Sequence, residues 1–379
     1  MGKLHKLLVA CALLGAPGAS AATVFDSSLK LTAEERYDDD LRLSPDATGG
    51  QFMTKLSPRL GVEAKDPRLT AEAFYAADLL ARHGSGKVSL DHRLGLTTRY
   101  LLSRRLRVEL TGRFFRVTDP TSLPRDGLAR STAPTLYGQG RLMVSGRVTD
   151  RMDARAGYGF EGARVFEAGR LPGYVHTPFA EVLYRGTRRL TLGLEYRYQG
   201  FVFGEEYSDS HGAFGSLRYR LSRVTTLTVR GGPVYFRQDP AVGASGVLPR
   251  VAVELAREGE YTDVAFVMGH DLVGASGFTN AVWADYASLL ATRRFTQKFS
   301  AFGVASYFRN GQVPGQDFFQ ATAPGLSQGY AVGAGVEYRW DRSLSVVGAL
   351  DRIAQVGATG TATDLTRNIA AVRLTYSAW

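Results

Sequence analysis

The stretch Lys87–Tyr100, KVSLDHRLGLTTRY, decides the fold. Val88, Leu90, Leu94, Leu96 and Tyr100 share one parity, while Ser89, Asp91, Arg93, Thr97 and Arg99 share the other. Successive side chains of a strand point to opposite faces, so this segment is a ribbon with one apolar and one charged face. A charged face cannot form the core of a water-soluble sandwich.

The same scheme recurs on both sides of this stretch. Leu106, Val108, Leu110 and Phe114 alternate with Arg107, Glu109, Thr111 and Arg113. Leu190, Leu192, Leu194, Tyr196 and Tyr198 alternate with Thr191, Glu195, Arg197 and Gln199. Near the end, Tyr330, Val332, Val336, Tyr338 and Trp340 alternate with Gly333, Gly335, Glu337 and Arg339. Eighteen such segments are expected, from 28–37 to 366–378. Sixteen is the alternative, because 280–292 and 299–308 alternate weakly.

Connection lengths decide what these ribbons build. Lys65–Arg68, Leu102–Arg105, Thr149–Asp153, Thr187–Arg189, Ser222–Thr225 and Asp341–Ser343 read as tight turns. Between them lie long polar stretches rich in Gly, Pro and Asp, such as 117–136 and 309–328. Short turns at one end and long loops at the other mark a transmembrane antiparallel β-barrel, apolar outside and polar inside. The fold class is therefore all-β.

Aromatic placement is an independent check. Tyr100, Tyr184, Tyr219, Tyr338, Trp340 and Tyr376 should form a lipid-facing belt at the short-turn end. Tyr37, Phe114, Tyr198, Tyr235 and Tyr307 should form a second at the long-loop end. Amphipathic rings settle at both membrane–water interfaces. The final Trp379 breaks the register of Val372, Leu374 and Tyr376.

Residues 1–21 read as a cleaved signal peptide: Lys3 and Lys6, an apolar run from Leu7 to Leu14, and Ala19-Ser20-Ala21 at the cleavage point. The competing lipoprotein box, Leu8-Val9-Ala10-Cys11, has too short an apolar run ahead of Cys11. Cleavage removes the only cysteine, so no disulfide framework is expected. Residues 22–379 then form one barrel in the cell outer membrane, in contact with its lipid and delivered by the barrel-assembly machinery. Composition agrees, with 44% hydrophobic residues and 43 glycines. The formal charge of +10 is mostly arginine spread along the chain. A nucleic-acid binder concentrates such charge on one face, so no nucleic-acid partner is expected.

A barrel of about 16 to 18 strands encloses water. Its candidate pore lining is Arg93, Arg99, Arg107, Glu109, Arg113, Arg141, Arg147, Arg155, Glu181, Glu195, Arg197, Arg218 and Arg230. Cross-strand ion pairs would stiffen the wall. Guanidinium forks would also hold carboxylates bidentately, so uronate-bearing sugars or other anions are candidate cargo. Phe74, Phe115, Phe179 and Trp283 point inward by parity, to stack on sugar rings or brace a loop folded into the pore. Either 117–136 or 309–328 could be that loop.

A barrel enzyme is the rival reading. Beyond the signal region the histidines are His83, His92, His176, His211 and His270, and His92 and His176 face outward among Leu and Val. No spacing pairs a nucleophile with a base. Asp38-Asp39-Asp40 could take Ca²⁺ through oxygen ligands, but reads rather as a solvated loop. No cofactor, metal or catalytic residue is expected.

At Tyr37-Asp38-Asp39-Asp40, Leu56-Ser57-Pro58-Arg59-Leu60 and the Tyr75 strand, the chain resembles the β-barrel porins encoded with exopolysaccharide systems. These include the eighteen-stranded export porins of Wzx/Wzy-type pathways. The resemblance implies a conduit passing polysaccharide outward above a periplasmic polysaccharide-export protein. The residues themselves fit a substrate-selective uptake porin for small anionic or sugar solutes equally well.

Overall fold

The computed structural model describes residues 23–40, 50–118, 134–166, 172–238, 245–274, 281–311, 327–357 and 365–378. Residues 1–21, the bulk of the two long loops (119–133 and 312–326) and Trp379 lie outside the described residues. The chain is a closed, eighteen-stranded antiparallel barrel. Each strand pairs with its sequence neighbours, and β1 (Val24–Asp38) closes on β18 (Leu365–Ala378). Closure leaves no sheet edge to be satisfied in lipid.

The two weakly alternating segments are strands, β14 (Ala281–Arg294) and β15 (Phe299–Gly311). Their alternation is weak because Ala and Ser replace large side chains; the hydrogen-bond ladder is continuous regardless.

Six of the short turns share one local device. The residue opening each turn (Asp66, Ser103, Thr149, Thr187, Thr296, Asp341) accepts backbone N–H bonds from two and three residues on. Short polar side chains cap a reversing backbone this way. At Asp341, the Ser343 hydroxyl and two such amides hold the carboxyl below its usual range. The opposite end departs from the expected rhythm at two joins, one of them the four residues 83–86, where Gly86 has φ +62°. The stretch between 200 and 212 is not a long loop: β9 (Leu190–Phe203) and β10 (Glu206–Arg220) run on to a two-residue turn. Gly204 makes it possible, adopting φ +62°.

Outside, the wall is apolar. Leu94, Leu110, Leu194, Val336 and Leu350 are exposed, Leu194 and Leu350 each to 67%. Nine of the eleven expected belt aromatics are exposed as well. Tyr100 and Tyr198 are half-buried. Tyr100 lies against Ala64, Leu69 and Ala71; Tyr198 bonds Tyr207 and packs on His211. Val372, Leu374 and Tyr376 are exposed at 59%, 45% and 49%, as their parity requires. No helix among the described residues is long and apolar enough to cross a membrane; the strands are what span.

Asp38-Asp39-Asp40 is not a solvated loop. β1 reaches Asp38, which is fully buried against Arg367, while Asp39 binds Asn368. These carboxylates complete the β1–β18 seam.

Candidate functional site

Every candidate lining residue lies on the inward parity, and the sheet register gathers them into separate groups. The largest sits on β6 (Thr135–Arg147) through β11 (Thr225–Gln238). Glu181 and Glu195 stand directly opposite each other, a repulsive pairing unless cations intervene. They do. Arg155 reaches Glu181 at 3.4 Å, Arg197 donates Nε to Glu195 at 2.8 Å, and Arg230 approaches Glu195 at 3.5 Å. Arg141 lies over the Phe179 ring at 4.6 Å. Arg250, on β12 (Ser245–Glu258), lies over Phe214 at 4.8 Å.

A second group sits near the short-turn end, where Glu109 lies 3.0 Å from both Arg99 and Arg107. Arg93 stands apart: it donates to Asp78 at 2.7 Å, and Lys55 is 3.3 Å from the same carboxylate. Arg113, Arg147 and Arg218 have no carboxylate partner among the described residues. Arg147 and Arg218 are exposed toward the short-turn mouth, and Arg113 lines a cavity with Arg141.

That cavity exists because the lumen is constricted. β12 and β13 (Thr262–Gly274) pair only as far as Val251↔His270. Beyond His270, β13 leaves the wall and reaches β8 (Gly173–Arg185), with which it shares no ladder. Leu272 and Trp283 from the β13–β14 tip bury themselves against Val175, Phe201, Phe203, Phe214, Val234 and Phe236 on the inner wall. Burial of large apolar and aromatic side chains, about 2 kcal/mol each, holds the tip inward. Arg250 and Asp271 pair across the point of departure, both nearly buried. The His270 ring stacks on Trp283 at 4.8 Å and its Nδ1 is 2.6 Å from Asp285.

The tip divides the outer half of the lumen. On one side, a cavity of about 500 Å³ is bounded by Asp271–Val273 and by Arg113, Gln139, Arg141, Glu161, Thr177 and Gln199. On the other, about 520 Å³ is lined mainly by Tyr286, Ser288, Val304, Phe308, Ala331 and Ile353.

Among the described residues, the element folded into the pore is the end of β13 and β14; the stretches expected to do so, 117–136 and 309–328, lie largely outside the described residues. One sequence expectation is corrected here. Trp283 does not point inward by parity: it pairs opposite Leu272, on the face of Asp285, Ala287 and Leu289, where Leu289 is 40% exposed. It reaches the lumen because the described ends of β13 and β14 turn in together. Arg250 and Asp271 were not among the candidates, since nothing local shows that β13 leaves its neighbour. Phe74, Phe115 and Phe179 are inward; Phe74 lies under Arg59 and Phe115 on Tyr137.

The sequence also gave no nucleophile–base spacing, yet the fold brings Thr54, Glu35 and His83 together on the outer wall. Thr54 Oγ1 donates to Glu35 at 2.6 Å and lies 2.8 Å from His83 Nε2. Glu35 also addresses Nε2, at 3.4 Å. A triad needs its carboxylate on the other ring nitrogen, so this is a polar cluster without the relay geometry. No group of three or more His, Cys, Asp and Glu suited to a metal occurs among the described residues.

No family model matches the chain, and no curated protein matches it. Among solved structures it is similar to the outer membrane protein OpdK of Pseudomonas aeruginosa, at 12% identity over 93% of this chain and 99% of that one, with a TM-score of 0.48. It is similar to OccK2 (OpdF) of the same organism, solved in complex with glucuronate, at 10% identity over 94% and 98%, with a TM-score of 0.49. For OccAB4 of Acinetobacter baumannii the values are 11%, 93%, 98% and 0.46.

Proposed function

We propose that this protein is a selective diffusion channel of the outer membrane that admits small carboxylate-bearing solutes. The constriction carries this reading. A polymer conduit needs an unobstructed bore with weak contacts along its length, whereas β13 crosses to β8 and leaves pockets of about 500 Å³. That volume falls in the range for a small-molecule site, roughly 300–1,000 Å³. Its wall presents Arg113 and Arg141 beside amide and hydroxyl groups. Planar guanidinium forks suit carboxylates, and Gln139, Thr177 and Gln199 suit hydroxyl groups. Arg155, Arg197 and Arg230, half-neutralised by Glu181 and Glu195, would continue a cationic track beyond it.

Reconstitution in a planar bilayer tests the proposal. The expected result is a reversal potential favouring anions, with current blockade by millimolar uronate. Arg113→Ala with Arg141→Ala should shorten the blockades several-fold while leaving a conducting pore. Cation selectivity would sink the carboxylate reading, and unhindered passage of long polysaccharide chains would favour export instead.

A further inference from the structure

The outer wall of the barrel carries cations that the lumen does not use. On β4 (Lys87–Leu101), β5 (Leu106–Val117) and β7 (Met152–Val165), the residues His92, Arg116 and Arg164 lie on the lipid-facing parity. His92 pairs with Arg116, Arg116 with Leu136, and Leu136 with Arg164, so they form one cross-strand row. Arg116 and Arg164 have no carboxylate partner among the described residues. Arg164 lies over the exposed Phe166 ring at 5.2 Å. The described lipid-facing positions from β3 (Leu69–Arg82) to β8 hold no acidic residue at all.

Height places this row. Arg116 is ten residues from Leu106 at the short-turn end. At about 3.3 Å per residue and a tilt near 40°, that is roughly 25 Å, the full height of the apolar band. His92 lies equally far from Leu102 along β4, and the exposed Phe114 marks the aromatic belt one pleat below Arg116. The row therefore meets headgroups rather than acyl chains.

His92 adds a directional donor. The Tyr75 hydroxyl lies 2.8 Å from His92 Nδ1. A phenol donating there leaves the proton on Nε2, which is left available to an acceptor outside.

Resting on the membrane reading above, we infer that the outer end of β4–β7 is a docking surface for the headgroup of an outer-leaflet lipid bearing a phosphate monoester. Two guanidiniums two strands apart, with an imidazole N–H beside one of them, match a multiply charged oxyanion. The apolar wall beneath receives its chains. No carboxylate at the described lipid-facing positions of this sector repels it.

Native mass spectrometry of the intact barrel in neutral detergent tests this, with phosphatidic acid and phosphatidylcholine of identical chains as probes. Phosphatidic acid should be retained at least ten-fold better by the wild-type protein. Arg116→Gln with Arg164→Gln should erase the preference, and Arg116→Lys with Arg164→Lys should restore part of it. Arg99→Gln, inside the lumen, should leave it intact. Inorganic phosphate at millimolar concentration should not displace the lipid; equal displacement would make this a free-anion site and overturn the inference. Undiminished preference in the double Gln variant would overturn it too. Heat-modifiable migration and insertion of each variant into liposomes report the membrane reading separately, so a barrel that inserts but shows no preference refutes the docking surface alone.

Discussion

Arg367 donates its Nε to both carboxylate oxygens of Asp38, at 2.8 and 3.0 Å, across a sequence separation of 329 residues. Both side chains are essentially inaccessible to solvent. Breaking a buried pair by removing one partner strands the other charge, a cost of about 3–5 kcal/mol. Arg367→Ala should therefore lower the urea midpoint of the folded barrel markedly, and Asp38→Asn with Arg367→Met should recover much of the loss. A midpoint unchanged in Arg367→Ala would show that the seam is held by its backbone ladder alone.

The constriction rests on Leu272 and Trp283 packing into the lumen and on Arg250 meeting Asp271. Leu272→Ala with Trp283→Ala removes the apolar anchor and should release the tip. Single-channel conductance is expected to rise about two-fold or more, with noisier open states. Conductance equal to the wild type would mean that the tip does not set the bore.

Leu110 faces outward at 40% exposure near the middle of the apolar band, and Glu109 faces inward between Arg99 and Arg107. Leu110→Arg should cost about 2–4 kcal/mol in folding into lipid. Glu109→Arg breaks two solvent-screened pairs and should cost about 1 kcal/mol. Equilibrium unfolding from liposomes checks both, and equal costs would contradict the assignment of faces.

Position by position, cysteine placed at 93 or 107 should react with a water-soluble maleimide, and at 94 or 194 only with a lipid-soluble one. Reversal of that pattern would invert inside and outside.

Histidines divide by surroundings. His176 and His211 pair with the hydroxyls of Tyr158 and Tyr196 on the lipid side, at 2.5 and 2.7 Å. Alanine at either, or at His92, should leave ion conductance and selectivity unchanged. His270→Ala loses the stack on Trp283 and should raise conductance toward that of the released tip. Loss of conduction in His211→Ala, with the barrel assembled, would assign that residue a role the geometry does not support.

Much of this architecture can be read from local pattern, because a strand's alternation is set by its own covalent geometry. Leu94 against Arg93 already tells which face meets lipid, and Asp66, Ser103 or Asp341 already tells where the chain turns. All thirteen candidate lining residues keep their inward parity for that reason. Other features depend on what one strand does relative to another, which no local pattern records. That Glu109 sits between Arg99 and Arg107, and Glu195 between Arg197 and Arg230, follows from register. That Asp38 meets Arg367 follows from closure. Trp283 shows the limit most sharply: it sits on the lipid-facing parity, yet it lies in the lumen, because β13 breaks from β12 after His270 and Leu272 and Trp283 are buried on the inner wall. The sequence alone determined a barrel with a polar interior and an arginine-rich wall. Only the tertiary structure decided where that interior narrows, because the balance between continued pairing and apolar burial depends on side chains separated by 36 to 108 residues.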